Sequence, residues 1–369
     1  MKFIKVMWIT LVWTIVGVLD ALNTHAITRV GYFHLDEEYP FAQYLLVNTL
    51  SATFAGLVSG AILIFFLREW VRAKSFGFAL VVNSMVIAIL NLLITVLTYS
   101  LFFSFYLKEV WWHPDVIENT ALVVGPAFYL KYFILWGIVV FLSITFLHVN
   151  DKYGTGVLLK LLLGRYYRPR EEERIFMFLD IRSSTTIAER LGHIRFFNLL
   201  NDFYRDITIP IINTSGEMYQ YVGDEVVIAW TMGEGLPNAN CLRCFYNMQE
   251  AINRLAQRYQ ETYGLVPQFK AGLHCGMVTI GEIGVIKKDI VYSGDVMNTT
   301  SRIQNACNKY GVDLLISKYL LDKLNWPPHD FYAHRVGIIE LKGKKQKIEL
   351  FTIGEEDVYA KERFSEDPT

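Results

Sequence analysis

The chain has 369 residues, of which 53% are hydrophobic and 15% aromatic, and this is more apolar than expected for a soluble enzyme of its size. Its charges, 35 Lys and Arg and 36 Asp and Glu, are unevenly spread, because the first 150 residues hold only 16 of the 71. This distribution excludes a disordered chain, a secreted disulfide scaffold and a wholly soluble enzyme, and the net charge of −1 does not indicate a nucleic-acid partner.

The weakly charged N-terminal part is predicted to be a transmembrane domain of four helices over residues 1–149. Each of its four apolar stretches is long enough, as a helix, to cross about 30 Å of hydrocarbon. No small-residue cleavage site follows the first stretch, so a retained helix is expected in place of a signal peptide. The stretches cover 6–22, 41–67, 76–106 and 121–148.

Basic residues cluster before the first apolar stretch, between the second and third, and after the fourth. With four spans, all three clusters fall on one side of the membrane. The positive-inside rule then predicts a multi-pass protein of the cell (inner) membrane, in contact with the lipid bilayer, with both termini cytoplasmic. The residues concerned are Lys2, Lys5, Arg68, Arg72, Lys74, Lys152, Lys160, Arg165, Arg168 and Arg170.

Ala52, Gly56 and Gly60 recur every four residues, a spacing that lets two helices approach closely. Their neighbour could be another helix of the same bundle or a second copy of the chain, and the pattern does not decide between the two. Further along, residues 150–172 contain a leucine-rich run flanked by basic residues, which predicts a linker helix at the membrane interface.

Residues 173–353 alternate between strand and helix patterns, which predicts one α+β domain with helices flanking a sheet. The tail at 354–369 is acidic and is expected to be solvated. Helices are predicted to run to about 213 with a break near Gly192, and over about 238–262 and 296–310. Strands are predicted at 175–179, at 217–222 and 225–230 as a hairpin, at 269–274 and 278–283 as a second pair, and at 313–316 and 348–353.

Two aspartates are placed where strand ends should meet. Asp180 closes the first strand, and Asp224 lies at the hairpin turn of what should be a neighbouring strand. Two carboxylates brought together repel each other unless a cation lies between them. Mg²⁺ and Mn²⁺ fill such a position readily, because these ions take carboxylates together with substrate phosphates.

Two further groups could bind a phosphorylated ligand. The backbone N–H groups of Ser183, Ser184 and Thr185 stand at a predicted helix N-terminus, where they could receive phosphate oxygens. Asn298 and Arg302 are four residues apart on a later helix, so they share one face and can reach one ligand together.

The four cysteines form no recognisable framework. Cys241 and Cys244 make a C-x-x-C, but no second pair stands at zinc-ribbon spacing. Ordinary thiols in a reducing compartment are therefore expected.

These features, in this order, resemble the class III nucleotidyl cyclases, the adenylate and guanylate cyclase catalytic domain. The resemblance covers roughly 173–353. It depends on FLDI at 178–181 followed by Ser and Thr, ERLG at 189–192, LLNDFY at 199–204, GEMYQYVGDEVVIAW at 216–230, AGLHCGMVTIGEIG at 271–284, YSGDVMNTTSRIQ at 292–304 and LKG at 341–343.

The resemblance implies a cyclase fold, with a ferredoxin-like, palm-type sheet, and two metal ions per active site. Asp180 and Asp224 would hold Mg²⁺ or Mn²⁺, with the Ile181 carbonyl also reaching one ion. The ribose 3′-hydroxyl would attack the α-phosphorus in line while pyrophosphate leaves. The implied activity is conversion of ATP to 3′,5′-cyclic AMP for intracellular signalling.

The resemblance also assigns roles to the remaining residues. Asn298 would orient the ribose, Arg302 would stabilise charge on the α-phosphate, and Lys342 would bind the triphosphate. In this family the metal aspartates of one subunit face the Asn and Arg of its partner. Since this chain carries both sets, a homodimer with two composite sites is implied, and a monomer would be inactive.

The base-reading positions depart from the common adenylate-type pattern. Gln220 stands where a Lys is usual, and Val291 stands where an Asp or Thr is usual. A Gln amide can donate or accept by flipping, and Val can do neither. ATP is preferred because adenylate cyclases are more frequent in the family, and guanylate cyclase activity with GTP remains the alternative.

Two other readings compete with a nucleotidyl cyclase. A diguanylate cyclase is suggested by Gly223, Asp224 and Glu225. This chain, however, lacks the first glycine of that family's hairpin motif, and a diguanylate cyclase would leave Asn298 and Arg302 unexplained. The other is a catalytically silent, cyclase-like receptor or scaffold.

Overall fold

The computed structural model describes residues 2–29, 41–67, 76–123, 126–153, 168–286, 288–324, 332–340 and 347–354. Contacts divide the chain into two compact units, Met1–Leu158 and Leu159–Thr369. The predicted acidic tail beyond Gly354 and most of the predicted linker lie outside the described residues.

The N-terminal unit is helical throughout its described elements. Three helical segments are long and apolar enough to cross a membrane, namely Lys5–Ala26, Phe41–Phe66 and Leu80–Leu107, and a shorter apolar segment covers Phe133–Leu147. The helices are α1 (Lys2–Arg29), α2 (Phe41–Ile62, continued by a π-helical turn at Leu63–Leu67), α3 (Phe76–Leu107), α4 (Pro114–Val123) and α5 (Pro126–Tyr153).

The fourth predicted stretch is divided between two helices. The prediction placed one span over 121–148, whereas α4 ends at Val123 and α5 begins at Pro126. Proline suits the first position of a helix, where its missing N–H has no intrahelical partner to lose.

The small residues of α2 pack against α1 of the same chain. A methyl group added to Gly56 would lie 3.0 Å from the Cβ of Trp13, and one added to Gly17 would lie 2.4 Å from the Cβ of Ala52. At Gly60 the corresponding neighbour is Ile9 of α1, at 3.4 Å. The close approach that this spacing allows is therefore used between α1 and α2, within one chain.

The C-terminal unit is built on an eight-stranded sheet with the order β2-β3-β1-β4-β6-β8-β7, and β5 pairs with β4. The strands are β1 (Arg170–Ile181), β2 (Glu217–Val222), β3 (Glu225–Thr231), β4 (Phe269–Ile283), β5 (Asp289–Ser293), β6 (Leu314–Ser317), β7 (Tyr332–Glu340) and β8 (Lys347–Gly354). The helices are α6 (Ser184–Leu191), α7 (His193–Asn213), α8 (Met232–Gly235), α9 (Asn240–Arg254), α10 (Ala256–Tyr263), α11 (Asp295–Tyr310) and α12 (Lys318–Leu321).

Central strand β1 separates two apolar layers, because alternate side chains of a strand point to opposite faces. Met177 and Leu179 belong to the main core, which also contains Phe203 of α7 and Phe245 of α9. Phe176 and Phe178 belong to a smaller cluster on the other face, together with residues of β3, β4 and the start of α11. Asp180 is two residues beyond Phe178, so its side chain lies on the same face of the sheet as Phe176 and Phe178, the face that α11 covers.

The predicted helix break near Gly192 and the hairpin at 217–230 are confirmed. The predicted strand pair at 269–274 and 278–283 is wrong, because β4 is one continuous strand, which pairs with β1 from Phe269 to Ile280. Gly276, between the two predicted strands, makes room for the side chain of Val296, which a Cβ on Gly276 would approach to 3.4 Å. Edge strand β7 is an additional element that was not predicted.

Candidate active site

Asp180 and Asp224 lie side by side at one end of the central strands. In the antiparallel ladder of β1 and β3, Asp180 pairs with Glu225, the residue after Asp224. Gly223, with φ of 64°, turns the chain tightly between β2 and β3 and presents Asp224 at the tip. Burial and then the neighbouring Asp224 raise the pKa of Asp180, so the two carboxylates interact directly.

Negative charge accumulates around this carboxylate pair. The pKa of Glu225 is raised by burial and then by Asp180 and Asp224. The ammonium of Lys270 on β4 opposes this charge, with its Nζ 3.3 Å from Asp180 Oδ2 and its side chain only 6% exposed. The site therefore favours cations, and it already holds one of its own.

A neutral donor also contacts the pair. Gln304 of α11 donates from Nε2 to Asp180 Oδ2 at 3.1 Å, and Gln304 is 1% exposed. Neither Gln304 nor Lys270 was found from the sequence. A lysine within the apolar strand FKAGLHC was the one local signal, since a charged residue in such a strand needs a partner.

The hairpin that carries Asp224 is tied to helix α7. Tyr204 donates its hydroxyl to the Gly223 carbonyl at 2.7 Å, and its ring lies 4.5 Å from that of Tyr221. Burial, followed by the charge of Asp224, raises the pKa of Tyr204 to about 12. The hydroxyl is therefore protonated at neutral pH and available as a donor.

Asn298 and Arg302 lie on a different side of α11 from Gln304. Asn298 is exposed and Arg302 is half-buried. At about 100° per residue, Gln304 is about 140° around the helix from the midpoint of the other two. The helix thus turns Gln304 toward Asp180 of its own chain while presenting Asn298 and Arg302 in another direction.

The two predicted base-reading positions lie on strands whose neighbouring residues touch. Gln220 is exposed on β2, and Val291 is half-buried on β5. The rings of Tyr219 and Tyr292 lie 4.6 Å apart, and the Tyr292 N–H donates to the Tyr219 hydroxyl at 3.2 Å.

The predicted phosphate-binding residues stand partly within the described chain. Ser183 precedes α6 with φ of 55°, and its side chain makes no capping hydrogen bond. Ser184 and Thr185 form the first turn of α6. Lys342 lies outside the described residues, and Ile181 is buried at the end of β1.

The carboxylate pair fits a divalent cation of the Mg²⁺ type, because it offers only oxygen donors and is held together against its own repulsion. Within the described part of the chain, no cluster of three or more His, Cys, Asp or Glu side chains could hold a metal. An ion at Asp180 and Asp224 would thus complete its ligands with backbone carbonyl, water and phosphate oxygens.

The four cysteines take no part in this site. All are free and buried. Burial raises the pKa of the Cys244, Cys275 and Cys307 thiols to about 12, so they remain protonated and unreactive.

The fold and this site together define a nucleotide cyclase domain. The sequence profile described as the adenylate and guanylate cyclase catalytic domain matches residues 166–355. The chain belongs to this family, which confirms the resemblance to class III cyclases.

Curated relatives include cyclases of bacteria. Adenylate cyclase 2 of Rhizobium meliloti (strain 1021) is 39% identical over 207 residues, covering 56% of this chain and 57% of that protein. Adenylate cyclase of Anabaena cylindrica is 26% identical over 183 residues, covering 48% of this chain and 36% of that protein. The chain therefore spans between about a third and about three fifths of the length of these relatives.

A solved structure confirms the fold class. A bacterial light-regulated adenylyl cyclase superposes with a TM-score of 0.50 at 23% identity, covering 59% of this chain and 63% of that one. Members of the family generally use divalent metal ions, which agrees with the oxygen donors at Asp180 and Asp224.

Proposed function

We propose that the protein is a membrane-anchored adenylate cyclase that converts ATP to 3′,5′-cyclic AMP and pyrophosphate for intracellular signalling. The observation that carries this proposal is the carboxylate pair of a cyclase-family domain, with Asp180 on β1 and Asp224 in the turn that precedes the adjacent strand β3. Mutual repulsion makes such a pair costly to maintain, and a silent scaffold would gain nothing from it. Asn298 and Arg302 are also intact.

Asp180, Asp224 and the Ile181 carbonyl would hold two Mg²⁺ or Mn²⁺ ions, which would lower the pKa of the ribose 3′-hydroxyl and offset the charge of the triphosphate. The chain's own task is to fix both carboxylates before the substrate arrives. The β1–β3 ladder fixes Asp180, and the Tyr204 hydroxyl fixes the turn at Asp224. Such preorganisation lowers the reorganisation needed in the transition state.

The remaining residues would bind the nucleotide. The N–H groups of Ser183, Ser184 and Thr185, together with Lys342, would receive triphosphate oxygens. Arg302 would stabilise the charge that develops on the α-phosphate, and a guanidinium suits this because its donors form a planar fork.

We infer that the working enzyme is a homodimer with two composite sites. The support is the orientation of α11, which turns Gln304 toward Asp180 of its own chain and Asn298 with Arg302 about 140° away. A twofold partner would bring these two residues to the carboxylate pair of the other chain, and would do so twice by symmetry.

ATP is the proposed substrate, and the adenylate cyclase of Rhizobium meliloti that is 39% identical supports it. GTP is the second candidate, because Gln220 can either donate or accept a hydrogen bond and Val291 can do neither. The base would therefore be recognised by the amide of Gln220 alone, which can donate or accept a hydrogen bond, and not by two side chains that are specific for one base.

The test is a product assay on full-length protein in detergent, with ATP and GTP supplied separately in Mn²⁺, beside an Asp224→Ala control. We expect cyclic AMP from ATP, and none from the control. Cyclic GMP alone would keep the mechanism and overturn the choice of base. No product from either nucleotide, with the dimer verified, would favour the silent scaffold.

We further propose that the N-terminal unit lies in the cell membrane with both termini in the cytoplasm. The three long apolar helices and the shorter apolar segment Phe133–Leu147 would give four spans, and an even number of spans together with the grouping of Lys and Arg supports this. A reporter enzyme fused after residue 369 should lie in the cytoplasm. One fused after residue 30, beyond the first helix, should lie on the other side of the membrane. Two reporters on the same side would contradict the arrangement.

A further inference from the structure

We propose that Gln304 is a positioning residue of the metal site, which ties helix α11 of each chain to Asp180 of the same chain. The inference rests on the proposed cyclase function and its composite dimer. It assigns to Gln304 a role that would be exerted through Asp180 and not by contact with the nucleotide.

The contact itself is specific. Gln304 Nε2 donates to Asp180 Oδ2 at 3.1 Å, and Lys270 Nζ lies 3.3 Å from the same oxygen. Two donors on one oxygen fix the rotation of the carboxylate, so that Oδ1 is left in a defined direction. Because Gln304 is only 1% exposed, water cannot readily replace its donor.

The backbone beneath Gln304 is held as firmly as its side chain. A Cβ on Gly272 of β4 would lie 2.3 Å from the Gln304 nitrogen and 2.8 Å from its Cα. Helix α11 therefore rests directly on β4 at this residue, and only glycine permits the approach. This seating sets where the amide of Gln304 can reach.

Helix α11 consequently serves both sites of the dimer. Gln304 holds the metal carboxylate of its own chain, while Asn298 and Arg302 enter the site that uses the partner's carboxylates. A change in the position of α11 would thus be felt at both sites.

The test uses two complementary inactive chains, one with Asp224→Ala and the other with Arg302→Ala. A heterodimer of the two has one intact site, which takes Asp180 from the Arg302→Ala chain and Arg302 from the Asp224→Ala chain. Gln304→Met is then added to one chain or to the other, so that the same substitution serves as its own control. Gln304→Leu is made in parallel.

We expect Gln304→Met on the Arg302→Ala chain to lower activity about tenfold or more, the loss typical of removing a hydrogen bond to a charged group. On the Asp224→Ala chain it should change activity less than about twofold. Equal losses from both positions would show that α11 had merely been damaged, and would overturn the proposal. A parent pair with no activity would refute the composite dimer, and the inference with it.

A binding measurement without nucleotide gives a second readout. Mn²⁺ affinity is measured by electron paramagnetic resonance of the free ion, on full-length protein in detergent. We expect Gln304→Met to weaken Mn²⁺ binding about tenfold, while the apo-protein still folds and unfolds in one cooperative thermal transition. Unchanged Mn²⁺ affinity would contradict a positioning role, whatever happened to activity.

Discussion

At the scale of single residues, the carboxylate pair is held by contacts that come from outside the strands carrying it. Tyr204 on α7 holds the turn of Asp224, Gln304 on α11 holds Asp180, and Lys270 supplies the opposing charge. Each donor lies far from the aspartates in sequence. The geometry of the site therefore depends on tertiary packing as much as on the two aspartates.

Removing the Tyr204 hydroxyl should loosen the Asp224 turn. We expect Tyr204→Phe to lower kcat/KM and to raise the Mn²⁺ requirement about five- to tenfold, because one hydrogen bond worth about 1 kcal/mol is lost. Tyr246→Phe is the matched control, since its hydroxyl also donates to a backbone carbonyl, that of Ile353, at 2.6 Å. Equal effects from the two substitutions would contradict a specific role for Tyr204.

A half-buried histidine should make the protein sensitive to acid. His274 on β4 lies 2.7 Å from the Ser317 hydroxyl, and burial lowers its pKa from 6.5 to about 4. The unfolded chain thus binds a proton more readily, so stability is complete above pH 6.5 and falls as pH drops toward 4. At pH 5 the loss should be about 2 kcal/mol.

His274→Gln keeps a partner for Ser317 but cannot be protonated in this range. The measurement is the thermal midpoint of full-length protein in detergent at pH 7.5 and pH 5. We expect the fall between these pH values to be smaller in the variant than in the natural protein. The same fall in both would show that His274 is not the sensitive group.

Local patterns predicted the parts of the site that lie at element ends. Asp180 closes a strand and Asp224 occupies a hairpin turn, and both positions are visible in a short window of sequence. Lys270 and Gln304 lie inside elements, where their partners are set only by tertiary packing. That is why the second pair of residues was missed.

At the scale of elements, the seating of α11 on β4 sets the distance between the helix and Asp180. The sequence pattern divided β4 into two predicted strands, 269–274 and 278–283, with Gly276 between them. The structure shows that Gly272 and Gly276 instead make room for α11. Strand β7 was missed because its residues are mostly half-exposed or exposed and lack clear alternation.

A methyl group at Gly272 should displace this helix. We expect Gly272→Ala to reduce the free energy of unfolding by about 1–3 kcal/mol and also to lower cyclase activity, because the added Cβ would meet backbone atoms of Gln304. Gly233→Ala is the matched control, since a Cβ there has no atom within 4 Å. Thermal unfolding of both variants decides the matter, and an equally stable Gly272→Ala protein would refute the tight seating.

At the scale of the whole molecule, each unit is explained by its own packing. In the N-terminal unit the small residues Ala52, Gly56 and Gly60 are used against α1, so the pattern that could have indicated a dimer contact has a partner within the chain. In the C-terminal unit α11 presents Asn298 and Arg302 away from its own Asp180. The residues that point to a dimer therefore lie in the C-terminal unit.

The central claim is that each active site joins the carboxylate pair of one chain to Asn298 and Arg302 of another. The most direct measurement is cyclic AMP formation by Asp224→Ala and Arg302→Ala chains, each alone and then co-expressed in equal amounts. Each chain alone should be inactive. Random pairing makes half of the dimers mixed, with one intact site of two, so the mixture should recover about a quarter of the natural activity. A mixture as inactive as its components, with mixed dimers demonstrated, would contradict the composite site.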